Sequence, residues 1–242
     1  MTDFQADLGV DEREYPLYER VYLVLAACFV VVLVLTNVIG IKLFQAPGYS
    51  EFALTTGIIT YPLTFLFTDL VSEIYGKKRA DFMVALGFVM SLLMLVVIQI
   101  AVRVPPHPYW VPSSSPYYST PAGYQHAFES VFALNGVLLF GSMSAYLAAQ
   151  LTDNWLYHFW KQRTQGRHLW LRNNGSTWIS QLVDTAIVGC ILFYGAFGMS
   201  WGAGLEVMAT IYAYKVILAI LDTPFVYLGV YLLRHLLEEK HG

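Results

Sequence analysis

Six apolar stretches govern what this 242-residue chain can fold into. Each is about 20 residues or longer, the length that an α-helix needs to cross the hydrocarbon core of a bilayer. The chain is 57% hydrophobic and only 13% charged, which is more apolar than a soluble domain of this size requires. The sequence therefore predicts an all-α, polytopic membrane protein, a bundle of six transmembrane helices at 21–41, 52–75, 82–102, 130–151, 177–197 and 207–233.

The positive charges follow that six-helix arrangement. Eleven of the 14 Lys and Arg residues fall on one side of it, namely Arg13, Arg20, Lys77, Lys78, Arg79, Lys161, Arg163, Arg167, Arg172, Arg234 and Lys240. Because cytoplasmic loops hold the excess of Lys and Arg, both termini are expected to be cytoplasmic. We accordingly expect a polar N-terminal segment over 1–20, a six-helix transmembrane domain over 21–234 and a cytoplasmic tail over 235–242. The net charge of −3 gives no reason to expect a nucleic-acid partner.

Ionisable and amide side chains recur inside the predicted spans. An ionisable group at the centre of a membrane helix costs about 2.5–3.5 kcal/mol on the insertion scale, so several of them need a reason. They are spaced three, four or seven residues apart, hence on one face of each helix: Asp69 with Glu73, Gln150 with Asp153, Gln181 with Asp184, and Lys215 with Asp222. Asn37 lies near the outer end of the first span. We expect these polar stripes to face a shared, water-accessible interior that binds a solute.

Some of these groups also have a purely structural interpretation. Glu73 can pair with Lys77, four residues further on, as readily as it can bind a ligand. Asp184 and Lys215 can form a buried ion pair that braces two helices. Asp153 can sit at the membrane interface. The sequence leaves these alternatives open beside a binding role.

The backbone pattern gives further expectations. Pro62 and Pro224 lie inside predicted spans, where proline removes a hydrogen bond and kinks the helix. The connection over 103–126 is rich in Pro, Ser and Tyr and is predicted to be irregular, either a lid or an interfacial loop anchored by Tyr109, Trp110, Tyr117 and Tyr118. Gly141, Ala145 and Ala149 form a small-residue stripe that allows close helix packing, within the chain or in a homodimer.

Motifs of enzyme active sites are missing from the sequence. It has no H-E-x-x-H zinc helix, no G-x-S-x-G turn and no glycine-rich phosphate loop. A channel would be expected to show pore-lining rings, whereas carboxylates, amides and one lysine suit a polar organic solute. We therefore expect a transporter of a small molecule and not an enzyme, without a cofactor or a metal site.

Four features occur in an order that resembles one known family. They are YPLTFLFTDLVSEIYG at 61–76, QLTD at 150–153, GST at 175–177 followed by QLVDT at 181–185, and YKV at 214–216. Within a chain of six predicted spans, this order resembles the queuosine precursor transporter family, also called the VUT family, over 21–234. The acidic start at 1–15 and the outer loop have no counterpart in that resemblance.

The resemblance implies a multi-pass protein of the bacterial inner membrane that takes up 7-cyano-7-deazaguanine and 7-aminomethyl-7-deazaguanine for queuosine modification of tRNA. In that interpretation Asp184 or Asp69 accepts from the guanine-like edge, and Lys215 donates to the ring carbonyl. Gln181 and Asn37 add amide contacts, and Trp178 or Tyr214 stacks against the flat face of the base. The candidate substrate-binding residues are Asn37, Asp69, Glu73, Gln150, Asp153, Trp178, Gln181, Asp184, Tyr214, Lys215 and Asp222.

Two other classes of function are less consistent with the sequence than a self-sufficient carrier. A substrate-capture subunit of an ATP-driven vitamin-type importer would need spaced alanines on the first helix, and LAACFV at 25–30 lacks that spacing. An intramembrane enzyme or scaffold would leave the carboxylate stripes without a solute to bind. A carrier of another small heterocycle stays open, as do the preferred deazaguanine, acceptance of queuine, the driving force and the oligomeric state.

Overall fold

The computed structural model describes residues 15–40, 42–46, 49–110, 120–132, 136–196 and 198–238. In chain order, these form α1 (Tyr15–Ile39), β1 (Leu43–Ala46), β2 (Tyr49–Thr55), a 3-10 helix (Thr56–Ile59), α2 (Tyr61–Ile74), α3 (Lys77–Arg103), α4 (Pro121–Phe132), α5 (Gly136–Arg163), α6 (Leu169–Gly189), a π-helix (Cys190–Ala196) and α7 (Trp201–Glu238). The expectation of a helical bundle is confirmed. The two strands, which the sequence did not predict, pair as one short antiparallel hairpin.

Four helices of the described residues are long and apolar enough to cross a membrane, over Leu17–Ile39, Lys77–Arg103, Leu169–Gly195 and Trp201–Leu237. Large apolar side chains on them point outward, so that Val31 is 57% exposed, Leu93 54% and Phe225 61%. Such a surface suits lipid and not water. The chain is therefore a multi-pass membrane protein, while the count of six spans and the direction of the termini stay predictions.

The second predicted span, 52–75, is wrong as a continuous helix. Its first part belongs to β2 and the 3-10 helix, and only Tyr61–Ile74 is α-helical. Fourteen residues at about 1.5 Å each give a helix of about 21 Å, shorter than the hydrocarbon core. Pro62 lies in the first turn of α2, where its missing N–H would have no partner, so it starts the helix and does not kink it. Pro224 lies inside α7, as predicted.

The outer connection over 103–126 is less irregular than predicted, because α4 already begins at Pro121. Trp110 packs edge-on against Tyr124 and Phe128 of this helix, with ring centroids 5.1 and 5.6 Å apart. Tyr109 is 90% exposed. Tyr117 and Tyr118 lie outside the described residues, so their predicted anchoring role is untested.

An apolar core joins α1, α2, α3 and α7. At its centre Phe29, Val71, Met83 and Val226 are fully buried. By contrast, α5 and α6 make the most extensive helix contact and bury mostly polar residues between them. The interior is therefore apolar on one side of the bundle and polar on the other.

The small-residue stripe of α5 is used inside the chain. Ala145 and Ala149 are fully or almost fully buried, and a Cβ atom on Gly141 would lie 2.8 Å from the Cδ1 atom of Ile191 in the π-helix. These residues let α5 approach the end of α6 closely. The stripe therefore gives no support to a homodimer, which stays a prediction.

Gly87 is expected to be needed for the packing of α3 on α1. A Cβ atom there would lie 2.7 Å from side-chain atoms of both Leu33 and Phe29, which are buried in the core. We expect Gly87→Ala to destabilise the purified protein by about 1–3 kcal/mol, the usual cost of overpacking a core, in a thermal-unfolding measurement. Gly202 is the matched control, since a Cβ atom there meets nothing within 4 Å. Equal unfolding temperatures for the two variants would contradict this packing.

Candidate functional site

A cleft between α2, α6 and α7 collects charged, amide and aromatic side chains. Ten residues line it: Tyr61, Pro62, Phe65, Asp69, Asn173, Thr177, Lys215, Leu218, Ala219 and Asp222. The cleft is narrow, with room for little more than a water molecule. Asp69, Lys215 and Asp222, which belong to the predicted polar stripes of α2 and α7, lie in its wall.

Helical periodicity brings these residues to one place. On α2, Tyr61, Phe65 and Asp69 are spaced by four residues and share a face. On α7, Lys215 and Asp222 are seven residues apart, with Leu218 and Ala219 between them on the same side. Each helix thus contributes one stripe, and the three stripes form the walls of the cleft.

The cationic end of the cleft is Lys215. Its Nζ atom forms an ion pair with Asp184 of α6, and the two side chains are only 13% and 10% exposed. The same Nζ atom lies 5.1 Å from the centroid of the Tyr61 ring, within cation–π range. The predicted pairing of Asp184 with Lys215 is therefore present, and Asp184 holds a lysine that itself faces the cleft.

The acidic end of the cleft contains Asp69 and Asp222, which are 1% and 8% exposed. Among the described residues, neither forms an ion pair, and the Oδ1 atom of Asp69 has no hydrogen-bond partner. A carboxylate in this state is a strong acceptor with nothing to accept from. The cleft therefore offers a cation at one end and free acceptors at the other.

Three of the predicted site residues, Asp69, Lys215 and Asp222, line the cleft, and Asp184 reaches it through Lys215. The other predicted residues do not line it. Gln150, Asp153 and Gln181 are fully buried on α5 and α6, next to the cleft. Asn37 donates to the Ser91 hydroxyl between α1 and α3, at 3.0 Å. Trp178, Tyr214 and Glu73 also lie outside the lining.

Glu73 lies one turn beyond Asp69, at the end of α2 where positive charges gather. It is bound by Arg172 at 2.8 Å, Lys161 at 3.1 Å and Arg234 at 2.6 Å, and the Tyr157 hydroxyl donates to it at 3.0 Å. We call these five residues the basic cluster. It ties α2 to α5, α6 and α7.

The basic cluster differs from the local alternative considered for Glu73. Lys77 does not pair with Glu73 but with Asp81, four residues further along α3. The cluster does bring together three cations that the sequence placed on one side of the membrane. Their partner is a buried carboxylate whose side chain is 2% exposed.

Of the seven lining residues that the sequence analysis did not predict, four have polar or aromatic side chains: Tyr61, Phe65, Asn173 and Thr177. A signal for each of them was present. Tyr61 and Phe65 precede Asp69 at four-residue steps, and Asn173 and Thr177 precede Gln181 in the same way. Extending each polar stripe by two turns would have found them.

The comparisons with known proteins agree with a transporter. Residues 55–229, well over half of the chain, match the family model described as "Putative vitamin uptake transporter". The chain is 30% identical over 175 residues to the "Probable queuosine precursor transporter" of Bacillus subtilis (strain 168), covering 72% of this chain and 70% of that protein. No solved structure matches it. Together with its lipid-facing helices and its polar cleft, these matches show that the chain belongs to the vitamin uptake transporter family.

Proposed function

We propose that this protein imports queuosine precursors, 7-cyano-7-deazaguanine and 7-aminomethyl-7-deazaguanine, across the bacterial inner membrane for tRNA modification. The similarity to a protein named for queuosine precursor transport supports the substrate class. The observation on which the proposal depends is the cleft, because it holds Lys215, two unpaired carboxylates and two aromatic rings together.

The chemistry of the cleft is complementary to a deazaguanine. The base has a ring N–H and an amino group side by side, and a carboxylate such as Asp222 can accept from both. Lys215, on the same face of α7, donates to the ring carbonyl, and Asn173 adds an amide contact from α6. Tyr61 and Phe65 flank the flat face of the ring. A two-ring base does not fit the narrow cleft as it stands, so uptake requires the cleft to widen.

The substrate class is tested by feeding a bacterium that cannot make the precursors. Cells that express this chain and receive a low concentration of either base should regain queuosine in their tRNA, measured by mass spectrometry of nucleosides. No restoration by protein shown to be in the membrane would contradict the proposal. It would favour a capture subunit that needs a separate module, or a different heterocycle.

Asp222 is tested in the same cells, by the initial rate at which they take up the base. Hydrogen bonds to a charged group contribute about 1.5–3 kcal/mol, so Asp222→Asn is expected to reduce the initial rate of uptake by about 10- to 150-fold. Glu206→Gln on the same helix is the matched control, because Glu206 is exposed and outside the cleft. Equal uptake by the two variants, with equal amounts of each protein in the membrane, would show that Asp222 is not part of the binding site.

A further inference from the structure

Asp153 is a fully buried carboxylate on α5 that faces α6. The Ser180 hydroxyl donates to its Oδ1 atom at 3.0 Å. Its Oδ2 atom has no hydrogen-bond partner, and no cation among the described residues forms an ion pair with it. Half of this carboxylate is therefore unsatisfied in the middle of a membrane protein.

Within the described residues, Asp69 and Asp222 share this lack of an ion pair, whereas the other two internal carboxylates are paired. Glu73 has three cationic partners and Asp184 has one. A buried carboxylate without a counter-ion is so costly that the group is neutralised by binding a proton. Once protonated, Asp153 has an O–H that can donate from the atom that now lacks a partner.

The charged groups around Asp153 favour that neutralisation. Asp69 on α2 and Asp222 on α7 are unpaired carboxylates, and Asp69 lies within electrostatic range of Asp153. Elsewhere in the bundle, cations are paired with other carboxylates: Glu73 with Arg172 and Lys161, Asp184 with Lys215, Lys77 with Asp81, and Glu19 with Arg79. The phenols Tyr61, Tyr146 and Tyr157 are uncharged. No cation is thus left to compensate Asp153 within the described part of the chain.

Asp153 also interacts electrostatically with residues of the cleft. Asp69 and Tyr61 line the cleft and both interact electrostatically with Asp153. Gln150 on α5 and Gln181 on α6 are fully buried, and neither side-chain amide has a hydrogen-bond partner. The Gln150 amide lies near the Tyr146 hydroxyl, but the two groups do not have the geometry of a hydrogen bond. Such unpaired amides can hold water or turn toward a group that gains or loses a proton.

We propose that Asp153 is the proton-binding residue of this transporter: its unpartnered Oδ2 atom takes up one proton from the cleft and releases it to the cytoplasm with each imported base. Asp69 links the protonation of Asp153 to the cleft, because a charge on one carboxylate disfavours a charge on the other. The inference rests on the proposed function, which supplies the transported base. It adds the driving force, a proton gradient.

A proton fits this position better than a metal ion. In the described residues no three acidic, histidine or cysteine side chains are grouped closely enough to hold a metal ion. A sodium site would need several oxygen ligands converging on one point, and oxygens of Gln150, Gln181 and Thr185 are also unpaired, so a sodium gradient is one of the conditions tested below.

The test uses the full chain in proteoliposomes with labelled 7-cyano-7-deazaguanine. Exchange of internal for external base reports transport without a driving force. Accumulation of the labelled base inside the vesicles, when the outer solution is acidic, reports coupling to the proton gradient. A pH-sensitive dye reports the movement of protons. We expect Asp153→Asn, which mimics the protonated state, to keep exchange within about twofold and to lose accumulation at least tenfold, together with proton movement. Asp153→Glu keeps an ionisable group and should retain proton movement, and Glu206→Gln should behave as wild type.

The outcomes separate the two proposals. Absence of exchange by the wild-type protein would refute the substrate assignment. Exchange without any effect of the pH gradient, or accumulation driven by a sodium gradient, would overturn proton coupling while leaving the substrate assignment intact. Proton movement by a folded Asp153→Asn variant, or loss of exchange in a variant that unfolds at the wild-type temperature, would overturn the role of Asp153.

Discussion

Replacing Glu73 with glutamine is expected to destabilise the purified protein by about 3–5 kcal/mol, the cost of breaking a buried ion pair. For a chain of this size, about 2–4 °C per kcal/mol gives a fall in the unfolding temperature of about 6–20 °C. Glutamine keeps the size of the side chain and can still accept from Tyr157. The loss therefore comes from the charge, and thermal unfolding in detergent measures it.

The cost arises mainly at Arg172. This guanidinium is 3% exposed and cannot turn to water when Glu73 loses its charge. Arg234 is 54% exposed and Lys161 30%, so either can be solvated again. We therefore expect Arg234→Gln and Lys161→Gln to cost no more than about 1 kcal/mol each, as exposed ion pairs do.

A combined variant separates charge from packing. Glu73→Met with Arg172→Met removes both buried charges and fills similar volume, so it should recover most of the stability that Glu73→Gln loses. If Glu73→Gln unfolds at the wild-type temperature, the basic cluster does not hold the four helices together.

The basic cluster also shows what a sequence cannot supply. The four-residue spacing of Glu73 and Lys77 suggested a helical pair, which requires both residues on one helix. The backbone instead turns at Gly76, with φ of 81°, so that Lys77 begins α3 and pairs within that helix. The actual partners of Glu73 are 84 to 161 residues away in the chain. Periodicity predicted the buried face of α2 but not what meets it.

The prediction of a continuous helix over 52–75 was wrong for a related reason. Residues 52–60 are apolar enough to extend a hydropathy window, but hydropathy does not distinguish a strand and a 3-10 turn from a helix. Within α5, Asp153 accepts from Ser180 of α6, so this side chain meets a neighbouring helix, and a contact of Gln150 or Asp153 with the solute stays a prediction. Which neighbour a polar stripe meets depends on how the helices pack, and the sequence carries that information only through contacts distant in the chain.

Lys215 is the residue whose loss is expected to affect uptake most. It lines the cleft, while its partner Asp184 does not. Removing one member of a buried charge pair costs about 2–5 kcal/mol, so Lys215→Met should reduce uptake at least about 30-fold. That result alone would not show whether Lys215 binds the base or only braces α6 against α7.

Exchanging the two charges distinguishes these roles. Asp184→Lys combined with Lys215→Asp restores the ion pair between the helices but puts a carboxylate where the cleft had a cation. If the pair is only a brace, the exchange should restore both the unfolding temperature and uptake. If Lys215 donates to the ring carbonyl, the exchange should restore stability and leave uptake as low as in Lys215→Met, because a carboxylate there repels the carbonyl oxygen. We expect the second result, and uptake near the wild-type rate in the exchanged variant would assign the lysine to structure alone.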